Sequence, residues 1–463
     1  MSEGVSRVLS THVATTRSAD LPRHAMEQAR LSLIDALGVT LGASGLGEGC
    51  DAFAEIARET APGGHAVVPG YGFATSAPMA AWVNGAMAHA LDFEDTHDHA
   101  IAHPHAAAIA AALALCGDPA RPVSGTELLG AIAVSGDLVC RLAASFRVNP
   151  DGFGWHTTPW LGVFGAATAA GQLLGLDADG MRAAWSLALS QMSSFGALRH
   201  SPGSHIRAVR DGFAAKAGVL GAMLAARGVL GFAEPLEGKA GFFDAVARRE
   251  VDTAPILDGL GTVWRGAEVS FKPWPCCRGT HSYVEAGLRI RALPGYSLLA
   301  LGVIEAVVSE KNRMLCEPTA HKRRPDTAIG AKFSIPFTLA TALVKGRVDL
   351  ASFFPEALAD AEVLAVAERI TCRIDPTIPL RDTVSGTVRL SLDGTGHEVR
   401  VSPAPGHPDL PMTPAQMRGK FEDCASHART ALPPGRRAAL WAQLQDVASL
   451  PTMGPVMDLM RAD

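Results

Sequence analysis

The stretch Asn84-Gly-Ala-Met-Ala-His-Ala-Leu-Asp-Phe-Glu-Asp-Thr-His-Asp-His-Ala-Ile-Ala-His-Pro-His-Ala106 decides how the chain is read. Small apolar residues run up to Leu91 and resume at Ala106, and Asp92, Glu94, Asp95, His97, Asp98, His99, His103 and His105 crowd the interval. The pattern is helix, polar loop, helix. Pro104 suits a first helical turn, whose N–H groups have no intrahelical partner, so His103 is expected at or next to the N-cap. There the helix dipole favours a substrate carboxylate and opposes protonation of the imidazole, which stays a proton acceptor. A carboxylate at Asp92 is expected to hold that imidazole in one tautomer. Two plainer readings use the same residues. The loop can be solvated, with its acids capping helices. Alternatively, the His-x-His pairs His97/His99 and His103/His105 can bind a metal, which needs extended backbone because positions i and i+2 do not share a helix face. So many titratable groups between apolar helices favour a functional site.

Helical patterns extend outward from this loop. Asp20-Leu-Pro22 opens a helix reaching Gly42, Ser76-Ala-Pro78 opens the one leading into the cluster, and Ser124-Gly-Thr-Glu127 is a capping box ahead of Leu128 to Ala144. Further apolar helices are predicted at about 157–175, 178–198 and 212–227. From about residue 266 to 404 the texture changes. Ile304 to Val308 and Ile370 to Ile374 read as strands, and Thr387 to Leu392 and His397 to Ser402 flank the turn signal Asp393-Gly394. Helices at about 280–292, 329–345 and 355–369 lie between them. The expected fold is therefore mainly α: an all-α domain from residues 1–265 and 405–463, with a smaller α+β domain, 266–404, inserted.

With 463 residues the chain can bury a large core. A net charge of -5 with interspersed signs gives no basic face for nucleic acid or an anionic membrane. The N-terminus lacks the layout of a secretory signal, and the apolar run Ala106 to Cys116 is too short to span a bilayer, so a soluble cytoplasmic protein is expected. The eight cysteines show no zinc or disulfide spacing and are expected to be reduced thiols.

Three other stretches offer chemistry. Gly154-Trp-His156 places a histidine at the mouth of a small-residue helix. His200-Ser-Pro-Gly-Ser-His-Ile-Arg207-Ala-Val-Arg210 brings two arginines, which suit bidentate carboxylate binding, just ahead of the next helix. Phe271-Lys272-Pro-Trp-Pro-Cys-Cys-Arg278-Gly-Thr-His281 surrounds a lysine with rigid bulk. That lysine is a candidate acid or base, and Arg278 and His281 are candidate substrate ligands.

In this order the pieces resemble the MmgE/PrpD family of 2-methylcitrate dehydratases, cis-aconitate decarboxylases and an iminodisuccinate epimerase. The matching stretches are Asn84-Gly85 through His103-Pro104, Gly154-Trp-His156 through Ala167, Gly203 through Gly218, Phe271 through His281, Ala331-Lys-Phe-Ser-Ile-Pro-Phe337 and Lys420-Phe421. The resemblance implies a helical domain from both chain ends, an inserted α+β lid domain and a homodimer using neither metal nor organic cofactor. It also implies catalytic roles for Asp92, His103, His156 and Lys272. Where relatives often read Gly-Thr-x-x-Lys-x-x-His, this chain has Gly203-Ser-His-Ile-Arg207-Ala-Val-Arg210, so a lysine and a histidine become fixed cations. The expected activity is a lyase of the 2-methylcitrate dehydratase type acting on a small di- or tricarboxylate by proton abstraction next to a carboxylate. Decarboxylation or epimerisation is the alternative, and a metal-dependent hydrolase or a non-catalytic carboxylate binder comes behind both.

Overall fold

The computed structural model describes residues 4–201 and 203–461. Its tertiary contacts separate two compact units, one comprising the chain up to Val269 and again from Met417 onward, the other Ser270–Gln416. The fold is mainly α.

The larger unit is a pack of helices with small contact residues. Those that frame the loop are α1 (Arg23–Leu46), α2 (Ala77–Ala90), α3 (Ala106–Leu113), α4 (Gly125–Ala144), α5 (Thr157–Leu173) and α6 (Ile206–Ala225). The capping box ahead of α4 forms as read, with Ser124 Oγ accepting from Glu127 N–H and the Glu127 carboxylate from the Ser124 N–H. Helix α1 is long and apolar enough to cross a membrane by composition, yet 78% of its most apolar window is buried inside the fold, so here it is a core helix.

The crossing of α2 and α6 requires two glycines. A Cβ at Gly212 would stand 2.4 Å from the Trp82 carbonyl oxygen, and one at Gly85 would stand 2.8 Å from both the Asp211 carbonyl oxygen and Ala215 Cβ. No larger residue permits this backbone approach, which carries the last turn of α2 past the first turns of α6.

Four sequence expectations change here. The helix expected over 212–227 starts at Ile206, so Arg207 and Arg210 lie within its first turns instead of ahead of it. The larger unit is not purely helical, because Pro62–Val68 (β1) and Phe73–Thr75 (β2) form an antiparallel hairpin. The helix expected over 178–198 ends at Leu189, ahead of the polar run Ser190-Gln191-Met192-Ser193-Ser194, and only a 3-10 turn follows at Gly196–His200. Helix α3 begins at Ala106, with His105 at its N-cap, so His103 lies two residues outside the helix. The His105 carbonyl accepts the first helical bond, from Ile109 N–H at 2.8 Å, and Pro104 sits before the cap instead of inside the first turn.

The smaller unit builds a four-stranded sheet in the order β4-β3-β5-β6, from Leu301–Val308 (β3), Ile370–Ile374 (β4), Gly386–Leu392 (β5) and Thr395–Val401 (β6). Strand β3 pairs parallel with β4 and antiparallel with β5. The β5–β6 register closes at Leu392↔Thr395, so Asp393-Gly394 is a two-residue turn, with both residues at positive φ (46° and 79°). Helices α7 (His281–Arg291) and α8 (Ile335–Lys345) supply Tyr283, Ile290, Phe337 and Leu343 to the same core as Ile304, Ile370 and Val388. All eight cysteines carry free thiols.

Candidate active site

The loop between α2 and α3 is pinned from several helices. Lys420, on α9 (Pro414–Ser426), lies 2.5 Å from Asp35 Oδ1 on α1 and donates to the Phe93 carbonyl at 2.7 Å. Asp95 Oδ2 accepts from Ser32 Oγ of α1 at 2.8 Å and meets His105 Nδ1 at 2.6 Å. The His105 ring needs Gly136 of α4, where a Cβ would stand 2.2 Å from its Nε2. His97 Nδ1 accepts from the Ala100 N–H at 2.9 Å, and His97 and Ala102 exchange backbone hydrogen bonds. These anchors give Asp95, His105 and His97 structural work and fix the backbone on both sides of His103.

A second group faces another way. Glu94 Oε1 lies 2.5 Å from His89 Nδ1 and 2.6 Å from His103 Nδ1, and the two rings stand edge to face at 5.3 Å. His89 makes an aligned hydrogen bond, and His103 reaches the same oxygen off the ideal direction. His89 and Glu94 are buried, whereas the His103 side chain keeps 19% of its surface. Nitrogen and oxygen this close are supported by a shared proton. The carboxylate that meets His103 is thus Glu94, in place of the Asp92 expected from the sequence. Asp92 is itself buried and adopts left-handed backbone (φ 51°), a conformation aspartate tolerates better than most residues and one that turns the chain sharply just before Glu94.

The α2–α6 crossing brings the first turns of α6 to this group. Asp211 Oδ2 is 3.8 Å from His89 Nδ1, and Arg210 Nε is 3.8 Å from Asp211 Oδ1. Arg210 is buried and donates one N–H to the Arg207 carbonyl at 2.7 Å. Burial first, then Arg210, holds the His89 imidazole below its ordinary range against the pull of Glu94 and Asp211.

His156 is the N-cap residue of α5, and its backbone N–H is bonded to the Ser194 carbonyl. Asp151 Oδ1 takes the Thr157 N–H and hydroxyl, fixing the helix start. The ring is 9% exposed, and neither Nδ1 nor Nε2 has a hydrogen-bond partner among the described residues. Burial, then Arg210, Arg207 and Arg199, push its pKa far down, so it is neutral at physiological pH. Asp92, His103, His156, Arg207 and Arg210 thus all lie on the larger unit, and the last three share one electrostatic neighbourhood with His89.

Lys272, Arg278 and His281 lie on the smaller unit. Lys272 is fully buried. Arg278 donates to the Pro405 and Ala404 carbonyls and to Ser270 Oγ, and His281 Nε2 meets the Cys276 carbonyl at 3.1 Å. In this unit both side chains tie the segment to its own backbone.

The His-x-His pairs do not converge on a metal: His103 goes to Glu94, His105 to Asp95, and His99 is exposed. Among the described residues the one converging trio is His89, Glu94 and His103. Donors about 2.0–2.2 Å from a tetrahedral ion stand about 3.4 Å apart. The 2.5 and 2.6 Å separations here are those of proton-sharing groups, so the trio as placed does not fit an ion.

The MmgE/PrpD N-terminal domain matches residues 7–253 and the MmgE/PrpD C-terminal domain residues 274–440. The chain belongs to the MmgE/PrpD family. Similar relatives include a cis-aconitate decarboxylase-like protein of Aspergillus oryzae, 26% identical over 80% of this chain and 79% of that one. The cis-aconitate decarboxylases of Aspergillus terreus and Mus musculus are 25% and 28% identical, over 80% and 75% of this chain and 78% and 71% of theirs. Within this MmgE/PrpD protein, Glu94 and His89 are the residues to which sequence reasoning gave no role. Glu94 stood in the quoted cluster, and His89 stood out only as the one charged or strongly polar side chain near the end of an apolar helix.

Proposed function

We propose that this MmgE/PrpD protein is a lyase acting on a small di- or tricarboxylate by proton transfer at a carbon next to a carboxylate, without metal or organic cofactor. One observation carries the reading. His156 is nine-tenths buried and neutral, with both ring nitrogens unpartnered among the described residues and arginines nearby. A buried imidazole without a protein partner calls for a ligand, and the surrounding guanidinium charges select an anionic one. His103 is the proposed proton-transfer residue. With its Nδ1 at Glu94, its Nε2 is the basic atom. Abstraction beside a carboxylate builds enolate-like charge, which the fixed cations of Arg207 and Arg210 stabilise. In dehydration, water leaves as the double bond forms.

Decarboxylation is the second reading, favoured by the names of the relatives. Here carbon dioxide leaves and a proton is delivered to the carbon that held it. Returning the proton to the opposite face would instead give epimerisation. Lys272 keeps the catalytic role the resemblance implies, and Arg278 and His281 keep their place as candidate substrate ligands, all three as proposals to be tested by substitution. The homodimer and the cytoplasmic location are likewise proposed on the resemblance and on sequence composition.

Proton NMR in D₂O with 2-methylcitrate, citrate, cis-aconitate, tartrate, malate and iminodisuccinate tests the reading. A vinyl signal gained or lost without carbon dioxide release means dehydration, carbon dioxide release means decarboxylation, and deuterium at an otherwise unchanged C–H means epimerisation. A folded protein that leaves every panel member unchanged would contradict the reading.

A further inference from the structure

The group at Glu94 holds more than a single histidine needs. One carboxylate oxygen serves two imidazoles, each through Nδ1, and these come from different places in the fold: His89 from the last turn of α2, His103 from the far end of the loop. We infer that Glu94 and His89 are positioning residues for proton transfer: Glu94 holds His103 as the Nδ1–H tautomer, with Nε2 as acceptor, and His89 holds Glu94. This rests on the reading of His103 as the proton-transfer residue.

Geometry supports each step. Of the two rings, His89 is the one that approaches Oε1 along a hydrogen-bond direction, so between them it is the ring that fixes the carboxylate. His103 approaches off that direction and keeps part of its surface open, as suits a ring that must exchange protons with a substrate. His89 is buried, and burial followed by Arg210 lowers its pKa against Glu94 and Asp211, whereas the His103 side chain keeps 19% of its surface open beside the carboxylate. When His103 accepts a proton at Nε2, Glu94 is the counter-charge at its Nδ1–H and His89 stays neutral. No bond beyond the N–H one is made or broken at this group.

The decisive experiment is ¹⁵N NMR of the histidine rings in otherwise complete protein without substrate, with His103 and His89 assigned from the signals missing in His103→Gln and His89→Gln. The expected spectrum shows both rings with a proton on Nδ1 and a bare Nε2. In Glu94→Ala, His103 should shift toward the Nε2–H form, and Glu94→Asp should recover part of the original pattern. If Glu94→Ala fails to fold, the near-isosteric Glu94→Gln takes its place and should also disturb the His103 signals. A wild-type His103 protonated on Nε2, or signals indifferent to every Glu94 variant, would overturn the inference. The spectrum needs no turnover, so it stays readable if the lyase reading fails. Once a substrate is in hand, Glu94→Ala should lower kcat on the order of 10²-fold with KM nearly unchanged, because the tautomer governs proton transfer and not binding.

Discussion

At the scale of single residues, the loop divides its titratable groups by environment instead of by type. Asp95 and Glu94 are adjacent in sequence, yet one carboxylate locks a structural histidine and the other meets His103, the proposed proton-transfer residue. The sequence showed that acids and histidines were concentrated here, and that His103, His156 and the two arginines belonged to candidate sites. It did not show which acid reaches which ring, because the left-handed turn at Asp92 and the anchors from α1, α4 and α9 set that direction. The neutral histidines also have a consequence for stability. His89 and His156 both have folded pKa values below the unfolded 6.5, so the stability they contribute is present above that value and lost as pH falls through the range below it. Asp35 acts in the opposite sense. Burial raises it to about 6 from 3.8, so its contribution is full below 3.8 and lost as pH rises through about 6. Each group contributes a slope of at most about 1.4 kcal/mol per pH unit. His12 is lowered by burial in the same sense and Asp137 raised by burial like Asp35, so three histidines stand against two aspartates; urea midpoints should fall between pH 6.5 and 5, and a double variant His89→Gln, His156→Gln should flatten that fall. An equally steep fall in the double variant would rule these rings out as its cause.

At the scale of elements, most helices declared themselves through caps and apolar spacing, and the Asp393-Gly394 hairpin through its turn residues. The hairpin β1–β2 did not, because Pro62-Gly63-Gly64-His65 offers no alternation of apolar and polar residues. Nor could the sequence place Asp211 and Arg210 beside His89, more than a hundred residues away. Only the close crossing of α2 and α6 does that, and it depends on glycines that look unremarkable in a glycine-rich chain. Gly212→Val would drive side-chain atoms into the Trp82 carbonyl, where even a Cβ would be 2.4 Å away. The expected cost is about 1–3 kcal/mol of overpacking, read from thermal melts, together with a change in the His89 NMR signals as the helices part. A variant with unchanged stability and signals would show that the crossing tolerates bulk.

At the scale of the whole molecule, a residue from the C-terminal part of the chain holds the loop near its start. Lys420 pairs with Asp35 and bonds the Phe93 carbonyl one residue before Glu94, so the C-terminal segment completes the larger unit's core and supports the site. Removing one partner of a buried pair leaves the other charge uncompensated, so Lys420→Met should destabilise the protein by about 3–5 kcal/mol at pH 7.5. The loss should shrink at pH 5, where the orphaned Asp35 takes a proton, and urea unfolding at the two pH values measures both. The central claim, that this MmgE/PrpD protein moves a carbon-bound proton through His103, is tested most directly by following a responding polycarboxylate in D₂O with wild type and His103→Ala side by side. Wild type should convert it, with deuterium entering wherever a proton is delivered to carbon, and the variant should be slower by about 10²–10⁴. Equal rates in the two proteins would contradict the claim.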